Sequence, residues 1–298
     1  MRKFPTVLSL LGLMLLAACV STAQREVILA STSWTAALAR GAGVENVQTL
    51  APANLQDPAR YELTVGDLAR IRAARWVIYS GEECFADDLV QAAGNPARLL
   101  KVRTENTPQG IAKETAALAA ALGTQTAQTA WIAQFQGLVS RIQVEINAVF
   151  PAGTKVIVHR SQADLARWLG FDVLAEVGAQ SNCAPTQALS PAQIDELAEK
   201  GPALVLDSYH DPVGPLLAET AQAIYVQLIS YPGPGGSKTL EDVFRYNREQ
   251  IAARPPQRGE KSAAEKAIPR LALGAAGFLL LLILSLLLLR RLFHRLRR

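Results

Sequence analysis

The sequence predicts an α/β protein of two doubly wound lobes joined by a long helix, with a transmembrane helix behind the second lobe. Three features of the 298-residue chain carry this expectation. Short β-branched runs alternate with helical segments on both sides of the middle. Pro108 to Phe150 keeps helical spacing, and Leu271 to Leu289 is an unbroken run of 19 apolar or small residues. With 50% hydrophobic and 19% charged residues the chain can bury a folded core, which excludes the disordered and low-complexity classes.

The N-terminal lobe is expected over 26–106. Glu26 to Ala30 reads as a strand through Val27 and Ile28, and Ser31-Thr32-Ser33 caps a helix from Trp34 to Arg40. Val47 to Leu50 reads as a second strand. Beyond Pro52 and Pro58, a helix is expected over Asp67 to Ala74 and a buried strand over Trp76 to Tyr79. Residues 107–150 form the connecting helix, with Leu118, Leu122, Trp131, Phe135, Leu138 and Ile142 on its apolar positions; Gly123 and Gly137 are the places where it can kink or divide. The second lobe, 151–252, resumes the alternation: strands at Lys155 to Val158, Val173 to Glu176, Ala203 to Leu206 and Ile224 to Leu228, with helices at Ala163 to Leu169, Pro191 to Glu199, Val213 to Ala221 and Leu240 to Ala252. In such folds the strand carboxyl ends face the binding crevice, so the ligand site is expected between the lobes.

The two ends set the location. Residues 1–18 begin with Arg2 and Lys3, continue through an apolar run from Val7 to Leu16 and close on Leu16-Ala17-Ala18 before Cys19, the pattern of an export signal. Leu16-Ala17-Ala18-Cys19 is similar to a bacterial lipobox, which makes Cys19 the lipidated first residue of the mature chain. The polar, Pro-containing stretch 253–270 is a linker to the span 271–289, whose length as a helix, about 28 Å, matches a bilayer core. The basic tail 290–298 places the carboxyl terminus in the cytosol and the main domain outside the cytoplasmic membrane. Residues 19–253 hold 18 Lys and Arg against 24 Asp and Glu, so the formal net charge of +4 belongs to the ends, and no nucleic acid is expected as partner. Beyond Cys19 there remain Cys84 and Cys183, which an oxidising compartment pairs if their positions allow it.

Several segments resemble, in order and spacing, the ZnuA/TroA-like solute-binding proteins of zinc and manganese ABC importers. Asp57-Pro58-Ala59-Arg60-Tyr61-Glu62 stands where that family has D-P-H-x-Y-E. Asp67-Leu68 and Ala73-Ala74-Arg75-Trp76-Val77-Ile78-Tyr79-Ser80-Gly81 follow its next two motifs. His159 leads into Trp168, Leu169 and Gly170, Ser190-Pro191 opens a helix, and Phe244-Arg245-Tyr246-Asn247 lies near the end. The resemblance spans most of residues 26–252. It implies a long helix that limits hinge motion, an ABC permease and ATPase subunits as partners, and a divalent metal ion, zinc or manganese, as the transported ligand.

Carried over position by position, the metal site is degenerate. The family's ligands fall on Ala59, Arg103, His159 and Lys238, so His159 alone keeps a coordinating side chain, while Arg103 and Lys238 bring positive charge to a place meant for a cation. A replacement set of metal ligands is His159 with Asp207, Cys84 and either Glu83 or Cys183, with Glu83 and Cys84 after the strand Trp76 to Tyr79. The structural alternatives are Asp207 and His210 as loop caps, Glu83 as a solvated rim, and Cys84 with Cys183 as a disulfide. Arg103 could also pair with Asp207, or join Lys238 and His159 in receiving an anion or a chelated ion. No nucleophile elbow, Walker loop or C-x-x-C occurs, and Gly233-Pro234-Gly235-Gly236 reads as a linker, so no enzyme is expected. Two functions remain: a membrane-tethered solute-binding protein of a metal importer, or a non-transporting relative acting as scaffold or regulator.

Overall fold

The computed structural model describes residues 27–254 apart from 180–182, 185 and 186. The expected export signal, lipidated Cys19, span 271–289 and basic tail lie outside the described residues. Among the described residues no helix is long and apolar enough to cross a membrane.

The first lobe runs β1 (Ile28–Ala30), α1 (Ser33–Gly41), β2 (Val47–Thr49), α2 (Val65–Ala73), β3 (Trp76–Tyr79), α3 (Ala86–Ala93) and β4 (Leu99–Lys101). Helices α4 (Pro108–Leu122) and α5 (Gln125–Val149) connect it to the second lobe. That lobe runs β5 (Lys155–His159), α6 (Ala163–Trp168), β6 (Asp172–Val177), α7 (Pro191–Glu199), β7 (Leu204–Ser208), α8 (Pro215–Thr220), β8 (Ile224–Leu228) and α9 (Leu240–Ala252). Helix starts follow the capping signals: Thr32, Thr64, Ser190 and Thr239 each close a capping box on the first turn. The connecting segment is not one helix. Gly123 takes a left-handed backbone at φ +73 and ends α4, while Gly137 passes inside α5. Helix α3 and strand β4, neither of them expected from the sequence, follow β3, and β4 completes the first sheet at its edge.

Both sheets are parallel, with orders β2-β1-β3-β4 and β6-β5-β7-β8. Their faces are sorted by the period of two along each strand. Ile78, Val156, Val158, Leu204 and Leu206 point into one apolar cluster shared by the two lobes, which α5 fills with Phe135, Val139, Ile142 and Ile146 and α9 with Leu240, Phe244 and Ile251. The alternate residues face outward: Leu29 and Val77 pack with Ile71 and Leu89, and Ile157 and Val205 pack with Ile194 and Leu217. At the centre of the shared layer Phe135 stacks on Trp131 at 4.9 Å between ring centroids and meets Phe244 edge-on at 5.4 Å.

Further ties cross between the lobes. Cys84 and Cys183 form a disulfide, and Arg60 donates to the Ala184 carbonyl. The expected linker Gly233-Pro234-Gly235-Gly236 instead packs on the first lobe, so closely that a Cβ on Gly233 would fall 2.3 Å from the Ala53 carbonyl oxygen.

Because Phe135 belongs to a layer common to both lobes, Phe135→Ala is expected to cost about 3–5 kcal/mol in urea unfolding. A single cooperative transition should be kept, whereas two separable transitions would mean that the lobes have independent cores.

Candidate functional site

In each sheet the winding reverses between the two central strands, β1 and β3 in the first lobe and β5 and β7 in the second. The crevice at a parallel sheet's carboxyl edge opens at that reversal. The residues just beyond these strand ends are therefore the ones to inspect.

His159 is the last residue of β5 and is 6% exposed. Its ring is held by Ser161, whose backbone N–H donates to Nδ1 at 3.2 Å and whose hydroxyl lies 2.9 Å from the same nitrogen. The other nitrogen, Nε2, is buried without a hydrogen-bond partner. Asp211 Oδ2 stands 3.6 Å away, too far for a hydrogen bond and close enough for an ion pair. Burial pushes the His159 pKa down, and the charges of Asp207 and Asp211 oppose that shift. The neutral ring is the form that a metal accepts. Because Nδ1 accepts from the Ser161 N–H, the neutral ring carries its proton on Nε2, on the side of Asp211, and an ion binding there would displace that proton.

Asp207, at the end of β7, is fully engaged by its own loop. It accepts from the backbone N–H of Ser208 at 2.9 Å, Val213 at 3.0 Å and Gly214 at 2.8 Å, and from the Tyr225 hydroxyl at 2.9 Å. Burial first, and then this carboxylate, raise the Tyr225 pKa and keep the phenol protonated. Asp207 thus shapes the loop that carries His210 and Asp211, and it makes no ion pair with Arg103.

Glu83 occupies the matching position in the first lobe. It is buried, not a solvated rim, and it accepts from Ser31 Oγ, from Ser80 N–H at 2.9 Å and from Gly81 N–H at 2.7 Å. Cys84 is joined to Cys183, so it has no thiolate to give a metal. Ala59 sits beside it, its carbonyl accepting the Cys84 N–H at 2.8 Å. Arg103 lines an open cavity of about 890 Å³ between the lobes, together with Glu82, Glu105, Asp164, Arg167 and Trp168. Lys238 is exposed before α9, with its N–H bonded to Asp242 at 3.0 Å, and is not among the residues lining that cavity. Among the described residues no group of three or more His, Cys, Asp or Glu side chains is gathered to hold a metal ion.

Two residues gain roles that the sequence did not show. Asp211 supplies the carboxylate facing His159; the only signal was an acid in the loop after a strand-end Asp. His210 crosses the cleft. Its Nδ1 lies 2.9 Å from the Gln56 carbonyl of the first lobe, and since a carbonyl only accepts, this nitrogen carries the proton. The ring stacks on Tyr231 with centroids 4.0 Å apart. Burial takes its pKa down to about 4.

No family model and no curated protein matches the chain. Solved structures do. The solute-binding protein FpvC from Pseudomonas aeruginosa, in complex with Mn2+, superposes with a TM-score of 0.61 at 16% identity, covering 77% of this chain and 98% of that one. A periplasmic metal-binding protein from Candidatus Liberibacter asiaticus, in Cd-bound and Mn-bound forms, gives 0.57 at 16% identity over 77% of this chain and 99% of that one. The chain has their two-lobe fold. At this identity the likeness speaks for the architecture, and the ligand question returns to the side chains described above.

The His210 pKa of about 4 lies below the unfolded value of 6.5, so the unfolded chain takes up more protons between those two pH values. Stability is therefore expected to be complete above pH 6.5 and to fall on acidification toward pH 4, by on the order of 3 kcal/mol. His159, shifted the same way, adds to the trend. Urea unfolding of the metal-free protein at pH 7.5 and pH 5 should show the loss, and His210→Phe should reduce it.

Proposed function

We propose that the chain is the membrane-tethered, extracytoplasmic solute-binding component of a zinc- or manganese-type ABC importer. It takes a divalent ion into the cleft between the lobes and passes it to a permease driven by an ATPase; it is a carrier, not an enzyme. The observation that carries this reading is the buried, unpartnered Nε2 of His159 with the Asp211 carboxylate 3.6 Å away, at the reversal between β5 and β7. Imidazole with carboxylate suits zinc and manganese. Two protein ligands leave the rest of the coordination shell to water or to groups that the ion brings with it.

Tethering is read from Cys19 and Leu271 to Leu289, which would hold the domain near its permease and raise its effective concentration there. The architecture shared with Mn-bound and Cd-bound periplasmic proteins supports the same reading. One observation favours the alternative of a scaffold or regulator: Glu83 and Asp207 are saturated and Cys84 is bonded, so three of the four expected ligands are already used.

Thermal melts of the detergent-solubilised full chain decide between them. Mn2+ or Zn2+ at a hundred times its dissociation constant should stabilise the protein by about 2.7 kcal/mol. His159→Ala and Asp211→Asn should each abolish most of that shift. No shift with either ion would leave the scaffold reading.

A further inference from the structure

Asp211 sits in a short span of chain between two anchors. Tyr209 N–H donates to the Leu228 carbonyl at 2.9 Å and continues the β7–β8 pairing, while Val213 N–H is held by Asp207 at 3.0 Å. His210, Asp211 and Pro212 lie between them. Pro212 restricts the residue before it to extended backbone, so the direction of the Asp211 carboxylate follows from where His210 is fixed. His210 is fixed against the first lobe. Its Nδ1–H donates to the Gln56 carbonyl at 2.9 Å, the Tyr231 hydroxyl reaches the same oxygen at 3.4 Å, and the imidazole stacks on the Tyr231 ring. Tyr231 is tied down in turn, because the buried Asn247 of α9 accepts the Ile229 N–H and donates to the Ile229 carbonyl, each at 2.9 Å. Gly233 closes on Ala53 of the same first-lobe loop.

We propose that His210 is a positioning residue of the capture site: by clasping the Gln56 carbonyl it holds Asp211 opposite His159 Nε2, an inference that rests on His159 and Asp211 being the pair that takes the ion. The carboxylate belongs to a second-lobe loop, yet its place is set from the first lobe. An ion bound at the pair leaves when the clasp lets Asp211 turn away, so His210 acts on release of the ion more than on its entry. Two parts of the side chain are separable: the ring supplies the stack on Tyr231, and the Nδ1–H supplies the hydrogen bond across the cleft.

The detergent-solubilised full chain is compared with two variants. His210→Phe keeps a ring on Tyr231 and loses the donor, whereas His210→Asn carries an amide nitrogen that can donate to Gln56 from near the Nδ1 position. With Mn2+ as probe, His210→Phe is expected to weaken binding about tenfold through faster release, and His210→Asn to retain most of the affinity. In an Asp211→Asn background, titrated at higher Mn2+, His210→Phe should have no further effect, since both changes remove the same contact. An equal loss in that background, or wild-type affinity of His210→Phe, overturns the proposal, because a residue that only stabilises the fold acts without regard to Asp211. Amide hydrogen exchange of the metal-free proteins over residues 209–213 separates the clasp from metal capture: it should be faster in His210→Phe and unchanged in His210→Asn. Faster exchange in a chain that binds no Mn2+ removes metal capture and leaves the clasp on Asp211, whereas unchanged exchange in His210→Phe removes the clasp, with or without bound metal.

Discussion

The apolar layer between the two sheets is the constraint on which the rest of the structure depends. Val156, Val158, Leu204 and Leu206 from one sheet and Ile78 from the other bury their side chains against the same ridge of α5 and α9. Neither inner face can be uncovered without exposing Phe135 and Phe244, each almost wholly buried. The strand ends that border the cleft are therefore held at fixed positions, and loop residues beyond them meet across it: His210 reaches Gln56, Gly233 packs on Ala53, and Cys84 bonds Cys183. A binding cleft built on such a layer has little freedom to hinge.

The same arrangement separates groups that organise the cleft from those left over for chemistry. Carboxylates at parallel strand ends are surrounded by backbone N–H groups of the loops that follow, and a carboxylate has a limited number of lone pairs. Asp207 and Glu83 spend theirs on such donors. The two cleft histidines differ from them: His159 and His210 are each held through Nδ1 and have a buried Nε2 without a hydrogen bond, and at His159 the Asp211 carboxylate stands 3.6 Å from that nitrogen. An orphaned buried nitrogen is costly, and the proposal of metal capture rests on a cation relieving that cost at His159.

Much of the architecture was legible in the sequence, because its signals are local. Strands β3, β5, β7 and β8 are short β-branched runs, and Ser31-Thr32-Ser33 and Ser190-Pro191 announce their helices by capping chemistry. Helix α3 and strand β4 were not legible: α3 starts at Phe85 without a side-chain cap, and β4 is only three residues long. Gly123 and Gly137 looked equivalent, and only the left-handed turn at the first makes it a terminator. The site was less legible still. His159 could be placed by pattern, but whether Asp207 is a ligand or a loop organiser depends on where the N–H groups of Val213 and Gly214 fall. Nothing in the spacing of His210 shows that its partner is a carbonyl in the other lobe. Ala59, Arg103 and Lys238 follow from the resemblance as exchanged positions, and the structure brings Ala59 beside the disulfide and Arg103 to the interlobe cavity, while Lys238 stays on the surface.

The central claim is that His159 and Asp211 are the ligands of a captured ion, and an anomalous difference map from crystals soaked with Zn2+ tests it most directly. The account predicts a peak about 2.0–2.2 Å from His159 Nε2 and from a carboxylate oxygen of Asp211. A peak at another set of side chains, or none in a crystal whose solution counterpart binds zinc, would contradict it.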